Sequence, residues 1–352
     1  MDVVERARRV ATDVLAPMAA TVDAAAAIPR SHLDALADGG LFGLAGPDGV
    51  DPESRRAVMR TLAGACGATT FVWAQHHGTT AHLAATENAA LRDRWLDRCT
   101  SGEVLAGTAF AHLRRPGPPA LRASAIDGGW RLDGFAPWAT SWGLAAVYSV
   151  AAATDDGQVV WLAIDGAEAP GLRASAPLDL MVMGATLTVE LTFDGFEVAD
   201  DLVLSVRALE DWRGPDRRVA ARVNPGVLGV VDAALDLVAA RASDEADLTH
   251  AALAADLADW EAVDAELHAD AAEPVELAEH RAVAIDLAGR ATTAALSVAG
   301  GAGVHRDHRA QRLARERAFY VVQAQSSDGR SATLHRTRTA PPAATFSSAE
   351  RR

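Results

Sequence analysis

Lysine is absent from this chain of 352 residues, so all 33 basic side chains are arginines. With alanine this abundant, the bias reads as codon composition and carries no functional signal. Positive charge is scarce: 47 acidic residues leave a formal net charge of −14, which argues against a surface built to neutralise nucleic-acid phosphates. The two cysteines, Cys66 and Cys99, fit neither a metal motif nor a redox pair and point to a reducing compartment. The opening MDVVERARRV spreads its charges and lacks the apolar core of a signal peptide. No apolar run reads as long as the ~20 residues a membrane helix needs, so the expectation is a cytoplasmic protein with no membrane contact. A chain that is 49% hydrophobic and 23% charged is globular, and its length suggests two or three domains.

The most informative stretch runs from Asp127 to Thr154. A turn at Asp127-Gly128-Gly129 leads into an alternating run, with Trp130 and Leu132 on one face and Arg131 and Asp133 on the other. Asp133-Gly134 is a second turn signal, and Trp142–Ala153 is an apolar, β-prone run too short to span a bilayer. The pattern reads as antiparallel strands ending in a buried one. Further strands are expected at Val104–Phe110, Val159–Ile164, Gly171–Ala176 and Ala185–Phe193, and a proline-rich loop over 114–119.

Helices are expected on both sides. Val3, Ala7, Val10 and Val14 share a helical face that should end near Pro17. Helices follow from Ser31 to Gly39, Pro52 to Gly64, Thr70 to Ala85 and Asn88 to Cys99. After about residue 207 come an apolar helix around 227–240, others at 248–267 and 275–298, and a last one at about 318–336. The final residues have the composition of a disordered tail. His76, His77 and His82 lie on one helix, but their spacing does not favour shared metal ligation, so they read as structural or pocket-lining.

At Gly129, Leu132, Gly134, Trp138 and Thr140 the chain resembles the acyl-CoA dehydrogenase superfamily of flavoproteins, whose middle domain carries GxxLxGxxxWxT. The resemblance implies an α+β chain. Residues 1–103 would form a helical N-terminal domain, 104–205 a β-barrel or sandwich, 206–337 a C-terminal four-helix bundle, and 338–352 a disordered tail. It implies FAD, with FMN as the alternative. The flavin would lie against Trp138, Thr140 and Ser141. Gly300, Gly301 and Gly303 match a Gly-Gly-x-Gly phrase that contacts FAD of a neighbouring subunit, and Arg241 matches an arginine that binds its phosphates. A homodimer or homotetramer follows from that shared site, and an acyl-thioester or other small-molecule substrate from the family chemistry.

Two departures bear on the reaction. The family's catalytic glutamate sits in an Glu-Gly-Thr phrase, but the corresponding stretch, Val322 to Asp328, holds no glutamate. A second subgroup places it near Arg218-Val219-Ala220, again without one. The thioester- and flavin-binding phrase after Phe110 is replaced by Ala111-His112-Leu113-Arg114-Arg115-Pro116. His112 is the remaining candidate for an acid/base or hydrogen-bonding role, set against a solvated loop histidine. The readings left open are a flavin-dependent oxidoreductase acting on an acyl thioester or related small molecule, a flavin monooxygenase of the same fold, and a catalytically silent binding or partner subunit.

Overall fold

A computed structural model describes residues 1–269 and 272–339, so the expected tail lies outside the described residues from 340 onward. The chain forms a helical N-terminal part, a mixed β-sheet middle part and a helical C-terminal part. The first helix is α1 (Val3–Val10), capped by Asp2, whose carboxylate accepts from the Val4 N–H at 2.7 Å. It does not stop near Pro17 as expected. A π-helical turn, Ala11–Leu15, carries it into α2 (Ala16–Ala24). Pro17 thus falls in the first turn of a restarted α-helix, where a missing N–H costs little. Then follow α3 (Arg30–Asp38), α4 (Pro52–Ala65), α5 (Gly67–Ala85) and α6 (Ala89–Thr100).

The sheet comprises β1 (Leu105–Ala109), β2 (Leu121–Ile126), β3 (Gly129–Ala139), β4 (Ala145–Ala153), β5 (Gln158–Asp165), β6 (Leu172–Ala174), β7 (Val189–Ala199) and β8 (Val203–Ala208). The strand β2 has no counterpart in the sequence reading. It pairs with β3 across the two-residue turn Asp127-Gly128, in the register Ile126↔Gly129 to Leu121↔Gly134. Strands β6-β7-β3-β2 form one half and β4-β5-β8, with β1 beside β4, the other. The halves join through β2 and β4 at the single pair Arg122↔Ala153, so the sheet folds over as a barrel-like layer around its buried apolar faces.

Two expected strands begin later than their apolar character suggests. Ser141–Leu144 is a turn, with the Ala145 N–H bonded to the Ser141 carbonyl at 2.9 Å, and β4 starts after it. Residues 184–186 form a short 3₁₀ turn, so β7 begins at Val189 rather than Ala185 and runs on to Ala199.

The C-terminal part holds α7 (Leu209–Ala221), α8 (Pro225–Ala239), α9 (Asp244–Ala269), α10 (Pro274–Ala299), α11 (Arg309–Val322) and α12 (Ser327–Thr339). The single helix expected over 318–336 is two, broken at Gln323–Ser326. The apolar segment Pro274–Val304 is, by length and composition, apolar enough to cross a membrane, contrary to the sequence reading. In the fold its inner face, with Leu287, Ala288 and Ala291, joins the apolar core shared with α8 and α11. The N-terminal and C-terminal parts are joined backbone to backbone: a Cβ on Gly229 of α8 would lie 2.2 Å from the Arg60 carbonyl oxygen of α4. Arg60 also bonds Asp232 through two nitrogens, at 2.6 and 2.8 Å.

Candidate functional site

Among the described residues, five that are not glycine adopt left-handed backbone angles, and four of them gather in one place. Trp138 (φ 63°) lies at the end of β3 and Ser141 (φ 71°) in the turn that follows it. Met183 (φ 64°) and Leu187 (φ 49°) belong to the segment before β7. Two hydrogen bonds tie the pieces together, Ser141 N–H to the Thr186 carbonyl at 2.9 Å and Trp142 N–H to the Leu187 carbonyl at 3.1 Å. Each such residue costs about 1–2 kcal/mol, so the strain totals roughly 4–8 kcal/mol by the same estimate. Strain of this kind persists only where the surroundings over-determine it, and it concentrates at functional sites.

The result is a ledge. Trp138 projects from it, 49% exposed although large and apolar. A bulge between Ala136 and Ala139 turns the strand at this point. Behind it, Thr140 is buried, its hydroxyl 3.1 Å from that of Thr188, while its carbonyl accepts from the Tyr148 hydroxyl at 2.8 Å. Ser141 is fully buried and its Oγ has no hydrogen-bond partner. An unpaired buried hydroxyl costs about 1–3 kcal/mol.

The glycines lie at the end of α10. Gly300 (φ 60°) and Gly301 are exposed, with nothing within 4 Å of where a Cβ would sit. Gly303 is buried, and a Cβ there would meet that of Ala299 at 3.0 Å. Only Gly300 needs glycine for its backbone angle, and only Gly303 for its packing. Arg241 follows α8, and its side chain is exposed.

His112 is not a solvated loop histidine. It sits in the short helical turn Ala111–Arg114 and is 1% exposed, with neither ring nitrogen hydrogen-bonded. Burial pushes its pKa down to about 4, so the ring is neutral at pH 7. The turn is pinned to α7: Arg114 bonds Asp216 through two nitrogens at 2.8 and 2.7 Å, and Phe110 packs near Trp212. The segment that replaces the family's thioester clamp is therefore closed against the C-terminal part.

The stretch without a glutamate forms the break between α11 and α12. Ala324 has φ 49°, the backbone angle that glycine takes without strain. Four carbonyls here, those of Ala220, Tyr320, Gln323 and Ala324, accept from the buried guanidinium of Arg281. Asn224 fixes the Gln323 amide. Its Oδ1 accepts from the Gly226 N–H, which leaves its Nδ2 to donate to Gln323 Oε1 at 3.2 Å. With Oε1 engaged in this way, the remaining polar atom of the Gln323 amide, Nε2, is a donor and cannot act as a base. Asp328, the nearest acid in sequence, is held by Arg217 at 2.7 Å, which keeps its carboxyl below the usual range.

The sequence reading missed one buried acid. Glu316 lies on the apolar stripe of α11 with Leu313 and Tyr320, a three- and seven-residue spacing legible in the sequence. It accepts from the Gly67 N–H at 3.2 Å and from Arg312 at 3.3 Å, and burial raises its pKa.

Helices, folded sheet and helix bundle around a strained ledge define the acyl-CoA dehydrogenase fold. Residues 1–103 match the family described as acyl-CoA dehydrogenase, N-terminal domain. The chain is 26% identical over 244 residues to benzylmalonyl-CoA dehydrogenase of Aromatoleum aromaticum, covering 67% of this chain and 63% of that protein. Butyryl-CoA dehydrogenase of Megasphaera elsdenii superposes with a TM-score of 0.78 at 18% identity, covering 96% of this chain and 98% of that one. A glutaryl-CoA dehydrogenase of Mycobacterium smegmatis in complex with FADH2 gives 0.79 at 17%, covering 96% and 94%. At these identities the structural likeness concerns the fold.

Proposed function

We propose that the protein is a flavoprotein of the acyl-CoA dehydrogenase type, which binds FAD against the Trp138 ledge and acts on an acyl thioester or a related small molecule. The observation that carries this reading is the ledge: left-handed residues from two segments, bonded to each other, presenting an exposed indole beside a buried hydroxyl without a partner. A flavin needs an apolar wall along its ring and polar atoms at its edge, and these residues fit it. Trp138 would supply the wall and Ser141 the edge, with Thr140 holding the turn from behind. The open backbone of Gly300 and Gly301 suits close approach by the rest of FAD, with Gly303 and Arg241 in the roles the resemblance implies. In the family, that half-site serves a neighbouring subunit, so the reading entails a homodimer or homotetramer. FMN would need only the ledge. The flavin supplies a two-electron acceptor.

Gln323 favours a second reading for the reaction. An amide donor can hydrogen-bond an acyl oxygen but removes no proton. That suits an oxygen-using relative, or a subunit that binds an acyl thioester without oxidising it. The visible spectrum of purified protein, titrated with FAD and FMN, tests the central claim. Flavin absorbance near 450 nm (a general flavin property), lost in Trp138→Ala, is expected. Wild-type protein that takes up neither flavin would overturn it.

A further inference from the structure

The segment Met181–Thr188 forms the back of the ledge, and it is held from three sides. The turn after β3 bonds it through the Ser141 and Trp142 amides. The N-terminal part bonds it through the Ile28 N–H to the Ala185 carbonyl at 3.0 Å. The C-terminal part reaches it through one side chain. Arg315 of α11 donates to the Met181 carbonyl at 2.9 Å, and its guanidinium is forked onto Asp23 of α2, with Nη1 at 3.1 Å from Oδ1 and Nη2 on Oδ2. Gln311, one turn earlier, accepts from the Arg315 Nε at 2.9 Å and fixes the plane of the fork. Next to it Met183 packs at Gly67, where a Cβ would meet both its Cε, at 3.0 Å, and Glu316, at 2.9 Å.

We infer that Arg315 is a positioning residue for the ledge: clamped by Asp23 and Gln311, it holds Met181 so that Met183 and Leu187 keep their left-handed angles and the Thr186 and Leu187 carbonyls stay presented to the Ser141 and Trp142 amides. The physical reason is the strain. A segment that favours relaxation needs a fixed point on a rigid element, and α11 is that element. Arg315 is the one arginine of α11 found bonded to this segment among the described residues. Arg309 and Arg312 instead bond the carbonyls of Gly64 and Ala65 at the corner between α4 and α5. The inference rests on the ledge being the flavin site only for its functional consequence.

The experiment uses full-length protein and the variants Arg315→Met, Arg315→Lys and Asp23→Asn. Amide hydrogen exchange is read at Ser141 and Trp142, with α8 and α10 amides as the internal reference, and FAD affinity is read by titration. Arg315→Met is expected to speed exchange at Ser141 and Trp142 at least tenfold, with the reference amides unchanged, and to raise the FAD Kd at least tenfold. Arg315→Lys keeps one bond to Asp23 and should restore most of both losses; Asp23→Asn should fall between. Exchange at Ser141 and Trp142 within twofold of wild type in Arg315→Met overturns the inference. If wild-type protein takes up no FAD, the flavin reading fails and the exchange measurement alone decides the positioning role. If Arg315→Met does not fold, unchanged exchange in Asp23→Asn overturns it equally.

Discussion

Lowering the pH from 8 to 5 should destabilise this protein severely, because its buried histidines have nowhere to put a second proton. His77 donates Nδ1–H to the Trp73 carbonyl at 2.8 Å, and its Nε2 has no partner. His82 packs edge-on to Trp161 with Nδ1 unpartnered, and both nitrogens of His112 are unpartnered. Burial is the largest cause in all three, and each pKa is lowered from 6.5 to about 4. The sign follows from proton uptake. Between 6.5 and about 4 the unfolded chain binds the proton and the native state does not, so stability is full above about pH 6.5 and declines toward pH 4. At pH 5 each histidine withdraws about 2 kcal/mol, and the three together about 6 kcal/mol. His32 and His76 are shifted down by burial as well and act in the same direction. A typical domain has about 5–15 kcal/mol in total, so acid unfolding should set in near pH 5. Urea midpoints followed by circular dichroism at pH 8, 7, 6 and 5 measure the decline. His112→Leu should leave the pH 7 midpoint unchanged or higher and reduce the slope by about one proton. A midpoint flat from pH 7 to pH 5 would refute the reasoning.

Other perturbations probe the joints of the fold. Gly229→Ala puts a methyl 2.2 Å from the Arg60 carbonyl oxygen, so α4 and α8 must separate; thermal melting should report a loss of about 2–3 kcal/mol. Arg281→Met strips four carbonyls of their donor. Urea unfolding should show a loss of about 2–4 kcal/mol, with hydrogen exchange rising first near Gln323 and Gln325. Gln323→Glu puts a carboxylate in the stretch 322–328, which has no glutamate. If an acyl thioester binds here, exchange of its α-proton in D₂O, followed by NMR, should rise about 10²–10⁴-fold. No gain with binding intact would show that position 323 does not face the α-carbon.

What the sequence determined by itself lies where one segment carries the whole signal. The alternation of Trp130 and Leu132 against Arg131 and Asp133 defines half of β3 whatever packs on it, and Asn88 and Asp51 mark helix starts with their own side chains. The absence of glutamate from 322–328 is also a fact of the sequence. Glu316 was legible as an acid on an apolar stripe.

The rest was decided by partners distant in the chain. Apolar residues at 142–144 and 185–187 look like strand, yet they are held as turns by hydrogen bonds across some 45 residues. His112 has the neighbours of a loop residue, but the bridge from Arg114 to Asp216, 102 residues on, seals it in. Pro17 ends a helix by local rules; the packing of Leu15 and Ala19 into the core keeps the helix going through a π turn. In each case a local preference of one or two kcal/mol was outweighed by burial and hydrogen bonds that exist only once the three parts of the chain have met.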